Sequence, residues 1–228
     1  MNTLATRPTV EDGAQLYIKG EFDAAVAIFS DLTETGDAEA TMWLGSCYAN
    51  GDGVPNSPHQ AFGYFMKAAE AGHAQAQTNV GAMLFGGQGC EKDIDAGVAW
   101  LTKAAEQDDT GAQFNLATIL SSDKEVALDW ETAAKWYHRA AEKGHYPSQA
   151  RLGFCYQHGN GVPQSRVDAY VWFALAAQHG VGTALTAVER LVNDMSAEEK
   201  GQGAGMVQSW RNKTASVSSM AVIDPVAQ

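Results

Sequence analysis

The sequence predicts an all-α fold, an α/α solenoid of stacked antiparallel helix pairs. Two observations carry this reading. The dipeptide Ala-Ala stands at 68–69, 104–105, 140–141 and 176–177, a constant step of 36 residues. Three further columns keep the same step: Leu44, Val80, Leu116 and Leu152; Gly45, Gly81, Ala117 and Gly153; and Tyr64, Trp100, Trp136 and Trp172. A fixed period of this length marks a repeat architecture, in which each unit is too small to bury its apolar face alone and stacks on its neighbours.

Each repeat reads as two helices. In the first, Ala40, Leu44 and Tyr48 recur at i, i+4 and i+8 and so share a face. In the second, Ala61, Tyr64, Phe65, Ala68 and Ala69 do the same. The second helix has a start signal, Ser57-Pro58-His59-Gln60: serine at the N-cap, proline at the first helical position, and a glutamine placed to close a capping box. Asp93, Asp129 and Ser165 share the column of Ser57 and suit the same capping role, with Asp168 placed to close a second box. Gly72, Gly144 and Gly180 fall just past the second helices, where a left-handed C-cap favours glycine. Asp108 stands there in the second repeat, so a differently built helix end is expected. Ala61, Gly97, Ala133 and Ala169 let backbones approach, and the aromatic column at Tyr64 is expected to fill the gap above them.

Upstream, Thr9-Val10-Glu11-Asp12 reads as a helix start. Ala25, Phe29 and Gly36 lie one period before Ala61, Phe65 and Gly72. Downstream, Ala184 to Asn193 reads as a helix. Ser196-Ala197-Glu198-Glu199 starts a last one, expected to end near Trp210 and weakened by Gly201, Gly203 and Gly205.

These columns resemble the Sel1-like repeat family, a relative of the tetratricopeptide repeats. Its pattern runs roughly A-x-A-Q-x-N-L-G-x-x-Y-x-x-G-x-G-V, then D-x-x-x-A-x-x-W-x-x-x-A-A-x-x-G. The second repeat reads AQAQTNVGAMLFGGQGC and later WLTKAAEQD, and the fourth reads YPSQARLGFCYQHGNGVPQSRVDAYVWFALAAQHG. The third departs most, with Ser121-Ser122-Asp123-Lys124-Glu125-Val126 in place of the glycine loop, and a different path is expected over 121–128. The organisation expected is a flexible start (1–8), a tetratricopeptide-like helix pair (9–37), four repeats (38–73, 74–109, 110–145, 146–180), C-terminal capping helices (181–211) and a mobile tail (212–228).

Composition narrows the function. The net charge of −12 argues against a nucleic-acid backbone or an anionic membrane as partner, and 45% apolar residues suffice for a real core. The start MNTLATRPTV lacks a signal-peptide run, and no apolar stretch is long enough to span a bilayer. Cys47, Cys90 and Cys155 are widely spaced with no CxxC, which fits free thiols in a reducing cytoplasm.

The loops ANGDGVP (49–55) and QHGNGVP (157–163) superficially suggest a phosphate cradle, but a helix rather than a strand precedes each, and they recur in repeat register. They read as structural turns, with Val54 packing inward. The six histidines show no ligand spacing. His73 and His145 are equivalent positions read as caps on the helix ends before them. Cys47 and Cys155, three repeats apart, read as buried apolar groups. No cofactor, no metal and no catalytic constellation is expected.

The resemblance implies that first helices line a concave groove. Immediately before the Leu/Val column stand Trp43, Asn79, Asn115 and Arg151, a ladder along one wall if the likeness holds. Asparagine could clamp a peptide amide, arginine pair a carboxylate, and tryptophan anchor an interface. Phe85, Phe114 and Phe154 belong to the same set of helices. The competing reading is structural: the asparagines tie helices or loops together and Trp43 is core. The function expected is a non-catalytic protein–protein interaction module that binds a protein or peptide as an adaptor or regulatory scaffold. An inhibitor or immunity-type protein that occludes a partner enzyme is the alternative. A hydrolase of the β-lactam type is the poorer one, since the regular disulfide pair of those relatives is missing.

Overall fold

The computed structural model describes residues 7–122 and 124–221, with the backbone alone over 215–221. Twelve α-helices and no strand occur among the described residues. The chain divides by its packing into two units, Met1–Leu116 and Ala117–Gln228.

The first unit holds α1 (Val10–Ile18), α2 (Phe22–Glu34), α3 (Ala38–Asn50), α4 (Pro58–Glu70), α5 (Ala74–Gly86), α6 (Ile94–Glu106) and the start of α7 (Thr110–Ser122). Helices α1 to α6 pack in chain order, each on the next. The second unit holds the end of α7, then α8 (Trp130–Glu142), α9 (Tyr146–His158), α10 (Arg166–Gln178), α11 (Gly182–Asp194) and α12 (Ala197–Ala221). There α8 packs on α9, α9 on α10, and α10 on both α11 and α12. The last helix does not stop near Trp210 but continues to Ala221, through residues expected to be a tail. Residues 1–6 and 222–228, the outer parts of the expected flexible ends, lie outside the described residues.

Helix starts follow the sequence signals. Ser57, Asp93, Asp129 and Ser165 each cap the amide three residues on. The two boxes expected with Gln60 and Asp168 do not close. The Ser57 amide donates instead to the Tyr48 carbonyl at 2.8 Å, and that of Ser165 to Tyr156 at 2.9 Å. Asp93 donates to Leu84 at 2.9 Å and Asp129 to Leu120 at 2.8 Å in the same way. This bond ties the start of each second helix to the end of the first. It survives in the third repeat despite the altered loop, whose Ser121 and Ser122 are the last residues of α7 and whose Asp123 lies outside the described residues. True boxes form at Thr9–Asp12 and Ser196–Glu199.

His73 caps the helix that follows rather than the one before, and His145 stands at the same N-cap position of α9 without a side-chain bond to a helix amide. The Nδ1 of His73 accepts from the Ala76 amide at 3.3 Å, and His145 Nδ1 lies 2.8 Å from Ser148 Oγ. Asp37 and Asp109 do this work in the first and third repeats, accepting from Ala40 and Ala112. Asp108 adopts φ +70°, the same left-handed turn that glycine makes in the other repeats, so that helix end is built alike after all.

The close approach of paired helices rests on a notch. A Cβ on Gly45 would lie 2.7 Å from the Phe65 ring, one on Gly81 2.7 Å from Leu101, and one on Gly153 2.8 Å from Phe173. The group filling each notch is therefore the residue after the Tyr64 column. Tyr64, Trp100 and Trp136 stay half-buried, each under a basic side chain three residues on: Lys67 at 5.5 Å, Lys103 at 4.2 Å and Arg139 at 4.9 Å. The second glycine of the G-x-G loop has an equally tight seat. A Cβ on Gly161 would lie 1.9 Å from the Trp130 carbonyl oxygen, and one on Gly89 2.3 Å from that of Pro58. Val54 is half-buried against the core formed by Phe29, Leu44 and Cys47.

Candidate functional site

The first helices of the four repeats are nearly free of charge. Charged residues make up 18% of the chain. Yet α5 (AQAQTNVGAMLFG) and α7 (TGAQFNLATILSS) carry none, α3 only Glu39, and α9 only Arg151. The second helices hold the acids and bases instead. Depletion of charge with retention of Arg and aromatics is the composition of an interface core, where desolvating a charge would cost too much.

The structural tie expected of the asparagines belongs to another column. Gln77, Gln113 and Gln149 are buried, and each donates its Nε2 amide at 3.1 Å to a carbonyl eight residues back: Ala69, Ala105 and Ala141. Each of these carbonyls also accepts the amide three residues on, so the glutamine adds a second bond at the end of a second helix and fastens the next repeat to it. The AxAQ segment announces these glutamines in the sequence, but only the packing shows where the amide points. Gln107 Nε2 in turn donates to Gln77 Oε1 at 2.7 Å. The Oε1 atoms of Gln113 and Gln149 are buried with no partner among the described residues.

With that role taken, the Asn79 side chain makes no hydrogen bond to another described residue, nor does that of Asn115, and both are half-buried. Asn79 lines a cleft of about 500 Å³ in the first unit. Ser46, Ala49 and Asn50 of α3 form one wall, Asn79, Ala82 and Met83 of α5 the other, and Phe65 and Pro58 contribute from α4. The arrangement is an apolar floor beneath amide donors and acceptors, suited to holding a peptide. Asn50 is partly committed already, donating to Tyr17 Oη and Asp52 at 3.2 Å each. Tyr17 Oη donates to Asp52.

The other ladder positions diverge. Trp43 is packed on Phe29, with ring centroids 5.6 Å apart and planes 7° from parallel, and on Tyr17 at 5.3 Å. Its indole covers the N-terminal helix pair rather than standing out as an anchor, because α1 and α2 need an apolar partner on that side. Arg151 is exposed on α9 of the second unit. The three phenylalanines do not converge: Phe85 and Phe114 occupy the columns of Ala49 and Met42 and are half-buried, whereas Phe154, at 44% exposure, is open.

Burial sets the state of the thiols. Cys47 and Cys155 are buried, and burial pushes each up to about 11. Half-buried Cys90 is raised as well, for the same reason. Among the described residues no group of three or more His, Cys, Asp or Glu is placed to hold a metal ion, and no helix is long and apolar enough to cross a membrane.

A charge-poor first helix, a second helix capped by Ser or Asp, and a glutamine tie between successive pairs define an α/α repeat protein. The Sel1 repeat family matches at residues 38–73, 74–109, 110–145 and 147–181, and the chain belongs to it. A Sel1 repeat protein from Oxalobacter formigenes is 33% identical, with a TM-score of 0.73 over 80% of this chain and 74% of that one. A protective antigen of uropathogenic Escherichia coli with the same repeat fold is 30% identical, with a TM-score of 0.77. It matches 90% of this chain, which spans only 44% of that one. An immunity protein from Pseudomonas aeruginosa shares the fold at 17% identity and a TM-score of 0.52, covering 96% of this chain and 90% of that one. No curated protein matches the chain.

Proposed function

We propose that the chain is a non-catalytic interaction module that holds an extended segment of a partner protein on its first helices, as an adaptor or regulatory scaffold. The observation that carries this is Asn79. Its amide lines the α3/α5 cleft without a hydrogen-bond partner among the described residues, while the structural tie is made two residues earlier by Gln77. An amide that is half-buried and unspent gains by pairing with a peptide group, whatever the side chain attached to that group. The scarcity of charge on α3, α5 and α7 supports the reading, since little must be desolvated when the surface is covered. Three cysteines without a disulfide suit the reducing cytoplasm as the place of work.

The test is affinity capture from native lysate with wild-type chain and the Asn79→Ala/Asn115→Ala variant, each checked by thermal melting. Partners lost from a variant that melts normally support the reading. Equal recovery of the same partners overturns it. Should the captured partner be an enzyme that the chain silences at one-to-one ratio, the module acts as an inhibitor of the immunity type; two structural neighbours at 17% identity are immunity proteins.

A further inference from the structure

Helix α9 is where the uncharged surface of the first helices is broken by a cation. Its residues YPSQARLGFCYQH include no Asp or Glu, and Arg151 is the one side chain charged at every working pH. Arg151 and Phe154 stand three residues apart, so they are neighbours on one helical face, and both are exposed. One turn on, the His158 ring lies against Phe154 with centroids 4.1 Å apart and planes 33° apart, and its Nδ1 is 3.0 Å from the Phe154 carbonyl. Phe154 is thereby supported on one side and open on the other.

Arg151 makes no ion pair or hydrogen bond with another described residue. Helix α11 runs in the same register, and Arg190 occupies on it the position that Phe154 occupies on α9; it too is exposed and without such a partner. Acids outnumber bases 27 to 15 in this chain. In so acidic a molecule, Arg151 presents its guanidinium fork beside an exposed phenyl ring with no carboxylate among the described residues competing for it.

We infer that this face of the second unit docks an acidic segment of a partner protein, with an Asp or Glu carboxylate on Arg151 and an adjoining apolar side chain on Phe154. The chemistry is a bidentate guanidinium–carboxylate pair beside an aromatic contact, the two kinds of group that concentrate binding energy at interfaces. The inference rests on reading the first-helix faces as the binding surface, and it adds the charge and character of what binds.

Selection of a random dodecapeptide phage library on the immobilised full chain tests it. The expected result is several-fold enrichment of Asp or Glu next to an aliphatic or aromatic residue. Arg151→Gln should abolish the acidic preference, and a selected peptide should bind that variant about tenfold more weakly. Phe154→Ser should relax the apolar preference. Both residues are exposed, so both variants should melt like wild type. Peptides with no acidic excess, the same selection by Arg151→Gln, or no enrichment over blank support overturn the inference. So does light scattering that shows a dimer dispersed by Arg151→Gln, since the occupant is then a second copy of the chain. Asn79→Ala separates the two readings. If it loses every peptide while Arg151→Gln loses none, the Asn79 cleft stands and the acidic site falls; the reverse leaves the acidic site and removes the Asn79 reading.

Discussion

The side-chain amide of Gln149 donates to the carbonyl of Ala141 at 3.1 Å, and the same bond joins Gln113 to Ala105 and Gln77 to Ala69 at the same length. Each glutamine closes the exposed end of one helix from the start of another, so repeats are fastened by a directional contact as well as by apolar packing. Buried polar bonds of this kind are costly to break one-sidedly.

Replacing Gln149 by leucine should destabilise the chain by about 0.5–1.5 kcal/mol, because the bond that joins the two helices is lost while the Ala141 carbonyl keeps the Gly144 amide at 3.0 Å. The cost should be larger at Gln77, where leucine also removes the bond from Gln107 to Oε1, whereas the Oε1 of Gln149 is buried with no partner among the described residues to lose. Urea denaturation of Gln77→Leu and Gln149→Leu compares the two directly.

Gly161→Ala should cost more than Gly144→Ala. Both glycines have positive φ, +72° and +81°, which penalises alanine by about 1–2 kcal/mol. At Gly144 nothing lies within 4 Å of the new carbon, whereas at Gly161 it meets the Trp130 carbonyl oxygen at 1.9 Å. The loop must move off α8, and the difference should show in melting temperature.

His73→Asp should raise stability by a few tenths of a kcal/mol, about 0.5 kcal/mol at most. Aspartate is a better N-cap than a neutral imidazole and adds a negative charge at the positive end of α5. Asp37 and Asp109 already serve this position in neighbouring repeats. Chemical denaturation at neutral pH measures the gain.

Alkaline pH should weaken the fold through its thiols. Burial raises Cys47 and Cys155 from the ordinary 9.0 to about 11, so the folded state keeps protons that the unfolded chain gives up. That stability is fully present below pH 9.0 and is lost as pH rises towards about 11. The Cys47→Ala/Cys155→Ala variant should show a flatter stability profile across this window. Native alkylation should modify half-buried Cys90 before either buried thiol.

The repeat, the helix pairs and the Ser/Asp caps were legible in the sequence, because period and capping are local properties of a few neighbouring residues. The partners of those residues were not. The serine at a helix start looked ready for a capping box with Gln60, yet its amide belongs to the Tyr48 carbonyl of the helix before. The notch at Gly45 is filled by Phe65 rather than Tyr64, a shift of one residue that turns a side chain by about 100° around the helix. Trp43 and Asn79 share a column, yet one is packed into an aromatic cluster and the other lines a cleft, because what stands opposite each differs.

The sequence by itself determined a Sel1-type stack of helix pairs, where the helix pairs of the four repeats begin, and that their first helices carry almost no charge. Tertiary structure alone decided that glutamine and not asparagine fastens the repeats, that Asn79 is left unspent, and that Arg151 stands exposed beside Phe154. The physical reason is that periodicity specifies which residues share a face, whereas a hydrogen bond is specified only when the opposing helix brings its atoms within about 3 Å.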